Sequence, residues 1–509
     1  MGIYHFKREC IEKSLYGVDI DPGAVEIAKL RLWLSLVVDE EDYHTIKPLP
    51  NLDYKIVCGN SLLGVEENLF NQSLFEELER LKPLLFNETS SSKKQEYKKQ
   101  IEDLISQITK GHKEFDFKVY FSEVFHEKGG FDVVIANPPY GSEMNKKDLE
   151  EIRRNLKNTK NTNSAAVFID YGINQLIDHE GTLTFIVPKS LLFSEGWFDL
   201  VKAMLGNVSI LVDVEKAFEN VKLEQVVFLY GKTIKTNSYL ARKFLDNEFI
   251  RTTTILNELV VKYSAWICDV SKEEMRIAEK ATSKPITYMR EISKTKRGMP
   301  LQSFLTSEGE YAVIGGKNIF RYGINGEKGF LPLTNIMQNQ RKSAFLIQPK
   351  IVSQNIVAHI QNPTPRIMIM AAMDPFGRVF SVDTVNNTVL ITKEYDLRYI
   401  LALMNCRFTS WFAYRFIYCS AIRTMHFDNY YVGKIPVVRL AKDKQEPFID
   451  LVDKILAITK DGDYPQNEAK QSKVKEYKHQ IDQLVYNLYG LTEEEIAIVE
   501  GKCRQVKVL

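Results

Sequence analysis

The sequence predicts a doubly wound α/β sheet followed by an α+β region and a closing helical segment, and three observations carry that prediction. Through the first half, short unalternated runs rich in Val and Ile take turns with segments of helical periodicity, the pattern of parallel strands buried on both faces. From about residue 281 that rhythm stops, strand-like runs shorten, and glycines gather in loops at Gly315-Gly316, Gly323, Gly326 and Gly329. Across residues 441–509 apolar positions return to helical spacing in SKVKEYKHQIDQLVYNLYG.

Taken in order, the strands are expected at Leu15–Asp19, Tyr54–Gly59, Asp132–Ala136, Thr182–Val187, Ile210–Val214 and Gln225–Tyr230, with helices such as Ala24–Leu36 and Ala165–Ile177 between them. A helical insertion is expected at about 66–118, in which 86–115 reads as one solvent-facing amphipathic helix. The divisions follow: 1–240 a catalytic α/β domain, 241–280 a linker, 281–440 an α+β domain, and 441–509 a helical segment.

Composition excludes several classes. The 509 residues carry 67 Lys+Arg against 66 Asp+Glu, so the total charge announces no polyanionic partner. Locally it does: residues 281–350 hold 11 Lys+Arg against 4 Asp+Glu. Six cysteines stand far apart with no CxxC pair, which argues against a zinc site or a disulfide framework and fits a reducing cytoplasm. No apolar run is long enough to span a bilayer, and MGIYHFKREC lacks the apolar core of a signal peptide.

The decisive motif is Phe131–Gly141, FDVVIANPPYG, in which a buried strand runs straight into Asn137-Pro138-Pro139-Tyr140. In open α/β sheets ligands bind beyond the carboxyl ends of strands. The residue types suit one reaction. An exocyclic adenine amine is a poor nucleophile because its lone pair is delocalised into the ring. Two acceptors against its hydrogens favour a tetrahedral nitrogen; Asn137 offers a side-chain carbonyl and Pro138 a backbone carbonyl. The prolines fix φ and remove donors, and Tyr140 adds an aromatic face for an extruded base. A second site is YGVDIDPGAV, where Asp19 ends a strand and can accept from ribose hydroxyls, Ile20 lies beside it, and Asp21 reads as a helix cap. A third is Cys58-Gly59-Asn60-Ser61, which ends another strand.

Together YGVDIDPGAVEIAKLRLWLSL, GNSLLG, FDVVIANPPYG and LVYNLYGLTEEEIAIVEG resemble the large adenine-specific DNA methylases of the Type IIG restriction–modification and PglX-like kind, and residues 281–440 are similar to a TaqI-like C-terminal specificity domain. The resemblance implies a class I (Rossmann-like) methyltransferase sheet, S-adenosylmethionine as cofactor and double-stranded DNA as partner. It places Asp19, Ile20, Asn60, Ser61 and Phe168 at the cofactor, with Asn60 where many relatives have Asp, and Phe218 opposite Tyr140 around the flipped adenine. Lys222, Lys294, Lys296, Arg297, Lys317, Arg321, Arg341 and Lys342 are the expected DNA contacts.

One part of the family pattern is missing. No glycine-rich motif of the DPACGSGxF type precedes Leu15, so the sheet is expected to lack its first, central strand, and the strands of Asp19 and Asn137 to be incompletely folded beside the gap. Either a separate polypeptide supplies that segment or the chain is a truncated gene product. Two other readings stay open: a DNA-binding or specificity fragment without catalysis of its own, and a protein-glutamine or RNA methylase, since those also use Asn-Pro-Pro-Tyr.

Overall fold

The computed structural model describes residues 3–38, 46–62, 72–109, 111, 115–140, 149–150, 152–153, 156–219, 221–332, 340–362, 364–422 and 425–502. The chain forms two compact units, one of residues 1–185 with 229–234, the other of 186–228 with 235–509.

In the first unit, helix α1 (Ile3–Lys13) leads into strand β1 (Gly17–Asp19), helix α2 (Pro22–Val37) and strand β2 (Ile56–Cys58). Strands β1 and β2 pair in parallel, with Asp19 opposite Cys58. Asp21 caps α2 as expected, its carboxylate accepting from the N–H groups of Gly23 and Ala24. Strand β3 (Phe131–Ala136) pairs in parallel with β4 (Ile177–Pro188), Ala136 lying opposite Phe185. Between them helix α5 (Ser164–Tyr171) opens on an Asn163 cap.

The insertion differs from its expected form. It is two helices, α3 (Gln72–Asn87) and α4 (Ser91–Ile108), packed through Leu78, Leu81 and Leu85 against Ile101, Ile105 and Ile108. The charge-dense ELERLK stretch masks the apolar stripe of α3, and Asn87–Ser90 breaks the chain where one helix was expected. Residues 66–71 of the expected insertion lie outside the described residues.

Both strands at the predicted gap are formed, because each has a parallel ladder on one side: β1 through β2, and β3 through β4, the latter irregular between Phe131 and Val133. Their other sides are bare among the described residues. Val133 is 63% exposed and Ile135 76%, and Ile27, Leu30 and Leu34 make an exposed apolar stripe along α2.

In the second unit, β5 (Val208–Glu215) pairs in parallel with β7 (Ser238–Leu245), which pairs antiparallel with β8 (Glu248–Leu256). Strand β6 (Gln225–Gly231) begins in this unit. The expected linker 241–280 is therefore a correction: β7 runs through the boundary at 240. Beyond β8 come helices Asn257–Tyr263 and Lys272–Thr282 and a buried stretch Ala265–Cys268. The charged residues that made this segment look like surface are paired, Lys243 with Glu215 and Asp269, and Arg251 with Asp269. Further along, Ser293–Arg297, Val385–Leu390, Lys350–Gln354 and Ala371–Asp374 form a four-stranded antiparallel sheet. Helices Lys442–Thr459 and Glu468–Tyr489 follow, as the closing periodicity predicts.

Candidate functional site

The Asn137–Tyr140 turn leaves the carboxyl end of β3 with Asn137 and Pro139 exposed and Pro138 buried. Its conformation is held from α5: the Ser164 hydroxyl donates to the Pro139 carbonyl at 2.6 Å. That bond occupies a turn carbonyl not expected to meet a base. The Tyr140 hydroxyl donates to Oδ1 of Asn137, so the amide carbonyl already receives a hydrogen bond from within the turn. Partial burial pushes the Tyr140 phenol up from its ordinary range, which keeps it a donor at neutral pH.

Ser164 is itself placed by a loop that Asp170 organises. The Asp170 carboxylate is fully buried and accepts from the backbone N–H groups of Lys157, Asn158 and Thr159 and from the side-chain amides of Asn158 and Asn174. Five N–H donors compensate a charge that no cation reaches within ion-pairing distance among the described residues. Sequence reading missed both residues. The available signal was the Asn-Ser pair capping an apolar helix, which speaks of a helix start and not of what the hydroxyl holds.

At the neighbouring strand ends, Asp19 is exposed and its Oδ1 accepts from the Asp21 N–H at 2.9 Å, leaving Oδ2 for a ligand. Ile20 is 71% exposed, a branched apolar face beside that carboxylate. After β2, the Asn60 carbonyl accepts from the Leu62 N–H at 3.1 Å. One of its lone pairs stabilises the turn, and one remains for an amine. Ser61 beside it is half-buried. Phe168 is half-buried against the cluster of Leu62, Val167 and Tyr171, which brings it to the 60–62 turn while also making it a packing residue. Pro22 and Cys58 border a cavity of about 730 Å³ whose other walls include Lys29, Asp53 and Ile105. The exposed carboxylate, the exposed isoleucine and the polar turn suit the nucleoside half of a cofactor.

Phe218 and Lys222 belong to the second unit, exposed on the loop between β5 and β6. The side-chain amide of buried Gln225 grips that loop at both ends, accepting from the Ala217 N–H at 2.8 Å and donating to the Leu223 carbonyl at 2.6 Å. Lys189 underpins it. Its ammonium donates to Asp213 at 2.8 Å, Glu224 at 3.2 Å and the Ser420 carbonyl at 3.2 Å, all buried. Those two carboxylates outweigh burial and hold the amine well above its usual range.

Of the expected DNA contacts, Lys222, Lys294, Lys296, Arg297 and Lys317 are exposed. Lys296 lies over the Phe345 ring, 4.6 Å from its centroid, and Arg297 donates from Nε to the Asp383 carbonyl. Arg321 is half-buried, its Nε enclosed, which makes it a poor candidate for phosphate contact. Arg341 and Lys342 fall in helix Gln340–Leu346, but their side chains lie outside the described residues. Among the described residues no helix is long and apolar enough to cross a membrane.

Comparison with known proteins gives the class. Residues 13–218 match the Eco57I restriction-modification methylase family and residues 311–437 the TaqI-like C-terminal specificity domain, so the chain carries a restriction–modification methylase domain joined to a specificity domain. Among particular relatives, it is 24% identical, over 81% of its length, to a Methanocaldococcus jannaschii protein named as a type II restriction enzyme and methyltransferase. It spans 43% of that protein's length. The Type IIL restriction-modification enzyme MmeI, solved with DNA, superposes on 98% of this chain and 75% of its own at 11% identity and a TM-score of 0.49. The Type ISP enzyme LlaGI, also solved with a DNA substrate mimic, covers 90% of this chain and 42% of its own at 11% identity and a TM-score of 0.46.

Proposed function

We propose that this chain is the catalytic and sequence-reading part of a site-specific, S-adenosylmethionine-dependent DNA methyltransferase that modifies N6 of an extruded adenine. The observation that carries the reading is the Asn137–Tyr140 turn at the end of β3, with the Pro139 carbonyl taken by Ser164 and the Asn137 and Pro138 carbonyls left to meet an amine. An incoming amino group displaces the Tyr140 hydroxyl from Asn137 and donates one hydrogen there and the other to Pro138. The nitrogen lone pair is thereby freed from the ring, and Tyr140 stacks on the base. As positive charge grows on N6, both carbonyls and the aromatic face stabilise it, with no general base required before attack.

Asp19, Ile20, Asn60, Ser61 and Phe168 would hold the cofactor's nucleoside. When bound, S-adenosylmethionine supplies an electrophilic methyl group. The segment that completes the cofactor site is a glycine-rich strand and loop from outside the described residues. Its strand pairs with the open edges of β1 and β3, and the exposed Val133 and Ile135 of β3 support that placement. A separate chain is one carrier. Lys222, Lys294, Lys296, Arg297 and Lys317 set the register on duplex DNA.

Tritium transfer from cofactor to duplex DNA, RNA and protein, run with and without a chain bearing the glycine-rich segment, tests the class. Transfer to DNA is expected to fall about 100- to 1000-fold in Asn137→Ala. An Asn137→Ala chain as active as wild type would remove the mechanism. Should no added segment restore transfer while the chain still binds DNA, the noncatalytic specificity reading takes its place.

A further inference from the structure

A cavity of about 460 Å³ in the second unit is bordered by Glu195, Ser264, Arg290, Arg297, Asp428 and Lys434, of which only Arg297 has a role above, as an expected DNA contact. Lys434 is the anomaly. It is 4% exposed, yet among the described residues no carboxylate lies within ion-pairing distance of it. Its Nζ donates to the Ser264 carbonyl at 2.7 Å and sits 3.8 Å from the Tyr430 ring centroid and 5.7 Å from that of Tyr431. A buried ammonium with one neutral acceptor is expensive unless an anion joins it.

The groups around it do not supply that anion. Asp428 caps the helix beginning at Asn429, accepting from the Tyr430 N–H at 3.0 Å. Glu195 is exposed at the rim. Arg290 adds a second cation, lying over the Tyr288 ring at 4.6 Å with no acidic partner among the described residues. Arg297 contributes a third, with only its Nε committed. Guanidinium forks match the non-bridging oxygens of a phosphate, and the cavity leaves room for the flanking sugars.

We propose that this cavity seats a phosphate of the DNA backbone, held by Arg290, Arg297 and Lys434. The proposal rests on the DNA-binding reading and gives the second unit a fixed phosphate anchor beside strand Ser293–Arg297, whose Lys294, Lys296 and Arg297 are exposed. It carries a pH signature. Burial is the main cause that holds the Lys434 amine down to about 7; Arg290 lowers it further, while Cys419, Glu195 and Asp428 oppose the shift. A bound phosphate restores the missing counter-charge, so binding takes up a proton above that pH and weakens as pH rises from 7 to 9.

Fluorescence anisotropy of a labelled random-sequence duplex with the full chain, read across salt at pH 6.5, 7.5 and 8.5, tests it. Lys434→Met, which keeps the buried aliphatic stem, is expected to bind about tenfold more weakly at pH 6.5. Its log–log salt slope should be shallower by about one, and its pH dependence flat. Arg290→Gln should lose a similar increment of slope but keep the pH dependence. Melting at pH 9 controls for folding. Lys434→Met binding DNA with unchanged slope and pH response would overturn the anchor and leave the methylase reading intact. A wild type that ignores duplex but is stabilised by inorganic phosphate through Lys434 would assign the cavity to free phosphate and overturn the backbone assignment. Stabilisation by neither would overturn the pocket altogether.

Discussion

Strands β3 and β5 read alike in the sequence, as short apolar runs of a buried parallel sheet, and they end in opposite circumstances. Strand β5 has Val208 and Leu211 fully buried and Asp213 locked to Lys189. Strand β3 shows Val133 and Ile135 to solvent and has β4 as its neighbour on one side. Hydrophobic runs specify that a strand wants covering on both faces, and they do not say whether the covering lies in the same run of residues. The bare strand carries the proposed chemistry, and the buried one carries the scaffold of the Phe218 loop.

The largest expected effect breaks the buried side. Lys189→Met leaves Asp213 and Glu224 as uncompensated interior carboxylates, and urea unfolding should show a loss of about 3–5 kcal/mol, with the 217–224 loop losing its protection from hydrogen exchange. A loss under 1 kcal/mol would mean that water reaches the pair and that the contrast is overstated. Next, Leu78→Ala empties the core shared by α3 and α4 and should cost about 2–5 kcal/mol by the same measurement. Ser164→Ala strips the donor from the Pro139 carbonyl; about fivefold slower methyl transfer with unchanged cofactor affinity is expected, the size of one lost hydrogen bond near 1 kcal/mol. The smallest effect sharpens the comparison most. Ile135→Lys should change the stability of this chain by about 0.5 kcal/mol or less, since the side chain is already in water, yet should block restoration of transfer by the glycine-rich segment. Equal loss from Ile135→Lys and Leu211→Lys would abolish the distinction between the strands.

Much of this architecture was legible. The strand ends and the α2 cap were in the pattern because buried parallel strands and Asp-Pro helix entries leave local signals. The 240 boundary was not, since β7 carries Arg242 and Lys243 in a run that looks solvent-facing until Glu215 and Asp269 are brought to it from other elements. The turn residues 137–140 were readable because chemistry and strand context coincide. Ser164, Asp170 and Gln225 were silent: a hydroxyl, a carboxylate and an amide each act on backbone groups that only the fold delivers. Lys434 was silent for a related reason, since YYVGKIPVV gives no sign that its lysine is enclosed.

The insertion has a practical corollary. Helices α3 and α4 share an apolar core and are joined by an exposed connection at Thr89-Ser90, far along the sequence from either strand-end motif. Such a joint is a natural graft point. An epitope or a fluorescent reporter spliced there rides on a stalk whose own packing is untouched, so the protein could be tethered, tracked or purified without disturbing either end of the polypeptide.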